Sequence, residues 1–393
     1  MEKIIRILLV TGVIATCLVA PSVATAQPPW PAFCEESSLP SRDPNYQDPQ
    51  LTLACVPPDW NGNLVMYAHG YVPAQSPLAL PLEELTLPDG TFMPDILLAQ
   101  GFAFATTSYH KNGYAVEQAR RDVNDLLRHV ETLVPPDSLQ KVFLVGASEG
   151  GEIAALMIEQ FPEKYAGALA MCGPVGGGPY QDRYLSDFRA AFDYFFPGVF
   201  PFGITDVPED RYLEWPNDVQ AIALALASDP GATLQLYSVS GAAFDPLDPD
   251  TMPAGAQAIL FYGIWGTNDL VATAGGVPYD NRSTMFSGSL DDAALNAGIE
   301  RVASDGRARA YLRRFYQTTG ELQRPLVTLH NTLDPVVPFQ HEVIYRDLAA
   351  RAGRSDYLTT LPVVRFGHCN FTAQEIVGAF EILVLQVSYQ AGP

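Results

Sequence analysis

The chain is poor in positive charge. Of its 393 residues only 23 are Lys or Arg, against 44 Asp or Glu, for a formal net charge of −21. That balance argues against nucleic-acid or anionic-membrane binding, which need basic patches, and leaves neutral ester or amide substrates open. Cysteine is scarce. Five residues are too few for a small disulfide scaffold, and none are spaced as zinc ligands. No apolar run beyond residue 26 reads as a transmembrane helix, and no internal repeat is visible. What remains is the composition of a globular protein: 48% hydrophobic and 17% charged, enough to bury a sizeable core. The length suits two to three average domains or one large α/β domain with an insertion.

The first residues read as an address. Lys3 and Arg6 precede the apolar run Ile7 to Ala20, and Ala24-Thr25-Ala26 is a small-x-small cleavage site. This predicts a signal peptide over residues 1–26, a mature chain from Gln27, and a secreted or periplasmic protein with no stable membrane insertion after cleavage. The apolar run is short for a membrane anchor, and Thr16 is a poor residue before a lipidated Cys17. Cys34, Cys55, Cys172 and Cys369 then remain, and an even count in an exported chain suggests two disulfides. Three pairings exist. Closeness in sequence favours Cys34 with Cys55, a loop contributing about 3 kcal/mol in the chain-entropy model. Cys172 with Cys369 follows only if both lie near the active site.

Strands alternate with helices along most of the chain. Leu64 to Ala68, Phe102 to Thr107, Lys141 to Val145, Ala166 to Met171, Leu326 to Leu329 and Val363 to Phe366 are apolar strand candidates. Helical spacing runs through Ala115 to Val134, Glu152 to Phe161 and Phe371 to Val387. The predicted fold class is α/β, a mostly parallel sheet with helices on both faces. Between Gly173 and Arg324 the alternation fails, and the segment is aromatic and helical. Tyr184, Leu185, Phe188 and Phe192, with Phe195 and Phe196, share one face of a helix near 181–196. The expected division is a Pro-rich extended arm at 27–50, a core at 51–175 and 321–393, and a helical cap inserted at 176–320. The cap's aromatic residues can form an acyl or aryl pocket or, the commoner fate, the cap's own core.

Gly146-Ala147-Ser148-Glu149-Gly150 fits G-x-S-x-G. The pentapeptide is weak alone, but an apolar strand precedes it and an amphipathic helix follows, as a nucleophile elbow requires. A serine hydroxyl needs a base, and the base needs an orienting acid. Three histidines follow Ser148. His368 lies directly after a strand, in a Gly-His-Cys-Asn loop, and is the expected base; His330 and His341 are assigned packing or surface roles. Asp334, in HNTLDPVVP, is the expected acid, with Asp269 in the presumed cap as its rival. Glu149 adjoins the serine as a neighbour of the site. The oxyanion donors are expected to be the backbone N–H groups of Glu149 and of Tyr71, which follows His69-Gly70 at the end of an early strand. Asp245, Asp248 and Asp250 lack calcium-loop spacing and read as a solvated loop. The scheme needs no metal and no organic cofactor.

This set resembles the α/β-hydrolase superfamily. His69-Gly70-Tyr71, GASEGG at 146–151, LDPVVP at 333–338 and FGHCN at 366–370 carry the resemblance, and WNGNLVMYAHGY at 60–71 resembles secreted bacterial esterase and peptidase-like hydrolases. The resemblance implies an acyl-enzyme serine hydrolase with Ser148, Asp334 and His368 as its triad. His368-Cys369 is similar to the disulfide-linked triads of tannases and feruloyl esterases, where a cysteine precedes the serine. Here Ala147 stands before Ser148, and Cys172 becomes the candidate partner of Cys369. The expected activity is hydrolysis of a neutral or aromatic carboxylic ester, small or polymeric. An amidase or peptidase on the same residues is the alternative, and a non-catalytic binding protein on this fold is a second one.

Overall fold

A computed structural model describes residues 31–390 apart from 45, 47 and 88. The expected signal peptide lies outside the described residues.

The apolar runs become strands buried on both faces, as a parallel sheet covered by helices demands. These are β3 (Asn63–Ala68), β4 (Ala103–Thr107), β5 (Lys141–Ala147), β6 (Gly167–Met171) and β7 (Leu326–Leu333), followed by β8 (Leu358–Phe366) at one edge. Two further strands, β1 (Cys34–Leu39) and β2 (Gln50–Cys55), close the other edge. The order is β1-β2-β4-β3-β5-β6-β7-β8. β2 pairs antiparallel with both β1 and β4, and the other neighbours run parallel. The segment read as an arm therefore supplies an edge strand. Cys34 stands opposite Cys55 in the β1–β2 register, and a disulfide joins them.

Helices α1 (Met93–Ala99), α2 (Val116–Leu133) and α3 (Glu149–Gln160) alternate with the first strands. α2 turns Val116, Ala119, Val123, Leu126, Leu127 and Val130 to the core at helical spacing. α3 is buried along almost its whole length, its three glutamates included, so it lies inside the domain behind β5. After β6 the chain leaves the sheet for a helical cap: α4 (Gly178–Phe195), α5 (Trp215–Ser228), α6 (Pro230–Ser240), α7 (Thr251–Trp265), α8 (Thr267–Ala274), α9 (Asp292–Gly298) and α10 (Gly306–Phe315). Phe188 and Phe192 of α4 pack with Ile222, Leu236 and Ile259 in a core of the cap's own. Most of the cap's aromatic face is thus structural. The chain then returns through β7, α11 (Gln340–Arg351), β8 and α12 (Ala373–Gln390). Phe380 of α12 meets Phe102 and Phe143 edge-on, on the sheet face opposite α3. No described helix is long and apolar enough to cross a membrane.

Candidate active site

The carboxyl ends of the parallel strands face the cap, the place where ligands gather in open α/β sheets. Ser148 stands there between β5 and α3 with φ 54° and ψ −124°. A non-glycine residue with positive φ is rare, and such strain clusters at functional sites. The surrounding glycines make the turn sterically feasible. A Cβ at Gly146 would collide with the carbonyl of Gly150, and a Cβ at Gly150 with the carbonyl of Ala68. One at Gly151 would sit 2.9 Å from the Gly173 Cα.

His368 follows β8 and reaches back over the sheet. Its Nε2 lies 2.8 Å from Ser148 Oγ, and its Nδ1 lies 2.7 Å from Asp334 Oδ2. Asp334 is fully buried after β7, and its Oδ1 accepts the N–H groups of Val336 at 2.8 Å and Val337 at 3.0 Å. Both its oxygens are occupied. Asn331 and a disulfide are among the tethers of the His368 loop. Asn331, buried on β7, accepts the Asn370 N–H at 2.9 Å and donates to the Asn370 carbonyl at 3.0 Å. A disulfide joins Cys369 to Cys172 at the end of β6, with Cα atoms 5.3 Å apart.

The loop after β3 closes over the serine. A Cβ at Gly70 would fall 3.1 Å from Ser148 Cβ. The Gly70 N–H is taken by the Glu84 carboxyl, which also accepts from Tyr67 Oη at 2.7 Å. Glu84 is exposed as a residue, yet these contacts hold its carboxyl inward; desolvation pushes it up to about 7, against the lowering effect of both donors. Among the described residues, neither the Tyr71 N–H nor the Glu149 N–H has an intramolecular partner.

The remaining candidates stand outside this hydrogen-bonded line. His330 is buried between Glu342 Oε1, 3.0 Å from its Nδ1, and the Val337 carbonyl, 2.8 Å from its Nε2. His341 Nδ1 accepts the Gly176 N–H at 3.0 Å. Burial lowers its pKa well below the usual imidazole value. Asp269, on α8, accepts the Tyr114 N–H at 2.6 Å and pairs with Lys111 at 3.5 Å. Asp248 and Asp250 are exposed. Glu149 turns its side chain to α2, where Oε1 accepts the Ala115 N–H at 2.9 Å. Asn331, Glu84 and Glu152 were not picked out from the sequence. Only Glu152 had a signal there, since it lies three residues after Glu149 on the helix that follows the serine.

No family model matches the chain. A stretch of 94 residues, 22% of this chain, is 33% identical to the lysosomal Pro-X carboxypeptidase of Mus musculus. The Homo sapiens enzyme of the same name is 35% identical over 89 residues, 21% of this chain. The matches span only 19% and 18% of those relatives. Among solved structures, Candida antarctica lipase A in its closed state gives a TM-score of 0.48 at 14% identity, over 90% of this chain and 77% of the lipase. An acylaminoacyl peptidase from Pyrococcus horikoshii gives 0.44 at 8% identity, over 91% of this chain and 41% of its own. The chain's own geometry is the firmer guide. A serine on a strained turn, between the fifth strand of a sheet in this order and a buried helix, is the arrangement of the α/β-hydrolase fold.

Proposed function

We propose that the protein is an exported serine hydrolase that cleaves a carboxylic ester through an acyl-enzyme. The observation that carries this reading is the unbroken hydrogen-bonded line from Asp334 through His368 to Ser148. In it, His368 takes the serine proton as Oγ attacks the acyl carbonyl. Asp334 holds the imidazole tautomer and stabilises the imidazolium. The N–H groups of Tyr71 and Glu149 receive the oxyanion, and His368 returns the proton to the leaving alcohol. Water activated by the same imidazole then releases the acid. In this reading residues 51–175 and 321–393 form the core, and the cap at 176–320 sets the substrate. Two disulfides support export, because they persist in oxidising compartments.

A second reading, amide or peptide hydrolysis by the same residues, is favoured by the stretch similar to proteins named as carboxypeptidases. The non-catalytic alternative is opposed by the complete line of three groups.

The test is turnover of chromogenic acetate, butyrate, octanoate and aryl esters, with anilide counterparts, by the mature chain and by Ser148→Ala. Ester turnover lost in the variant is the expected outcome. Faster anilide than ester cleavage would move the assignment to the second reading. Turnover unchanged by Ser148→Ala would defeat both.

A further inference from the structure

The pocket beside Ser148 carries more acid than the reaction uses. Glu149, Glu152 and Asp182 all line it. Glu149 is 8% exposed and Glu152 2%. One carboxyl oxygen on each, Glu149 Oε2 and Glu152 Oε1, is buried without a hydrogen-bond partner. Orphaned buried oxygens are rare and costly.

No protein cation pairs directly with them. Among the described residues, none of the three acids has a Lys, Arg or His within ion-pair distance. Lys111, which faces Glu149, is committed to Asp269 at 3.5 Å and to Thr273 Oγ1 at 2.8 Å. Arg120, which faces Glu152, donates to the Phe315 carbonyl and to Gln160. The other charged neighbours are acids: Asp269 toward Glu149, and Asp187 toward Asp182. Desolvation pushes Glu149 up to about 8 and Glu152 well above the ordinary carboxyl value, the latter further raised by Glu149.

The rest of the lining fits such a cation. Tyr71, Tyr114, Tyr262 and Tyr316 wall the same pocket, and aromatic faces attract ammonium groups, more strongly when both are desolvated. Leu185, Leu270 and Leu312 supply apolar surface for a carbon skeleton. We propose that this pocket binds a protonated amine on the substrate's acyl group, held between Glu149 and Glu152 while Ser148 attacks the carbonyl. The substrate class is then amino-acyl or aminoalkanoyl esters or amides. This inference rests on the serine-hydrolase reading and narrows its substrate from neutral esters to cationic ones.

The experiment compares matched pairs that differ only in the amine. L-Leucine ethyl ester is set against ethyl 4-methylpentanoate, and ethyl 6-aminohexanoate against ethyl hexanoate, at pH 7. In the wild type kcat/KM should favour at least one amine by tenfold or more. In Glu152→Gln that ratio should fall towards one. A wild-type ratio near one in both pairs, with the neutral esters turned over, overturns the amine site and leaves the hydrolase reading standing. A second arm does not depend on turnover: calorimetric binding of hexylamine and of hexanol to Ser148→Ala. Amine binding at least tenfold tighter than alcohol binding supports the site even if no ester is cleaved, an outcome that would sink only the parent reading. Equal affinities overturn the site.

Discussion

Ser148 stands between two walls that treat their carboxyl groups in opposite ways. On the β7–β8 side, Asp334 is fully buried and saturated: two backbone N–H groups occupy one oxygen and the His368 ring the other. On the α3 side, Glu149 and Glu152 are almost as buried, yet each keeps an oxygen with no donor. A carboxylate that must face an imidazolium on every turnover needs donors in place beforehand. One that meets its cation only when substrate arrives is left incomplete by the protein alone. On this comparison the first wall serves the chemistry and the second serves selection.

The sharpest test of the first wall is Asp334→Asn. The shape is kept, but an amide can hold the imidazole in the wrong tautomer, with its proton toward Ser148. A fall in kcat of about 10⁴-fold, with KM changed far less, is expected. A loss below tenfold would mean that Asp334 serves only to pack its loop, and the contrast between the walls would disappear. Steady-state kinetics on whichever chromogenic ester is turned over decides this.

The two walls were not equally legible in the sequence. Ser148, Asp334 and His368 each follow a strongly apolar strand candidate, so chain order alone suggested that they meet. The structure brings them within hydrogen-bond distance. Tyr71 and its preceding glycine stood out for the same reason. Glu152 did not, because an acid on a helix ordinarily faces water. Only the packing of α3 behind the sheet and beneath the cap turns it inward. Asn331 was hidden inside a strand, and its role depends on a loop 39 residues further on. At the sheet edge, CEESSL in β1 is too polar to read as a strand, since an edge strand with one wet side needs little apolar surface. β8 was recognised only in its last four residues. Its first half is only partly buried and contains Pro362, which an edge strand can hold.

The second wall is tested by proton linkage. Burial raises Glu149 from the usual 4.5 to about 8. The folded chain therefore keeps a proton that the unfolded chain loses on going above pH 4.5. The stability contributed is fully present below that pH, declines as pH rises, and is lost once pH passes about 8. The slope from one proton is at most about 1.4 kcal/mol per pH unit. Glu149→Gln removes this group's titration, so the variant should gain on the wild type between pH 5 and pH 8 in denaturant melts and hold that gain above it. Parallel curves would show a Glu149 that is already ionised in the fold, with Lys111 as its compensating charge, and the α3 wall would no longer be unsatisfied.

The smallest expected effect separates the two disulfides. Cys34–Cys55 joins neighbouring strands at the sheet edge, whereas Cys172–Cys369 ties the residue after His368 to the strand that follows α3. Cys34→Ser/Cys55→Ser should lower stability by about 3 kcal/mol in the chain-entropy model and leave kcat near the wild-type value. Cys172→Ser/Cys369→Ser should lower stability too, and should also reduce kcat by about tenfold, because a base displaced by a fraction of an ångström transfers its proton less well. Asn331 would still clamp Asn370 in that variant, which limits the loss. Adding Asn331→Ala should deepen it well beyond the product of the two separate effects, since each tether covers for the other. Equal kcat in both disulfide variants would mean that the loop's position is set by Asn331 and the Asp334–His368 contact alone.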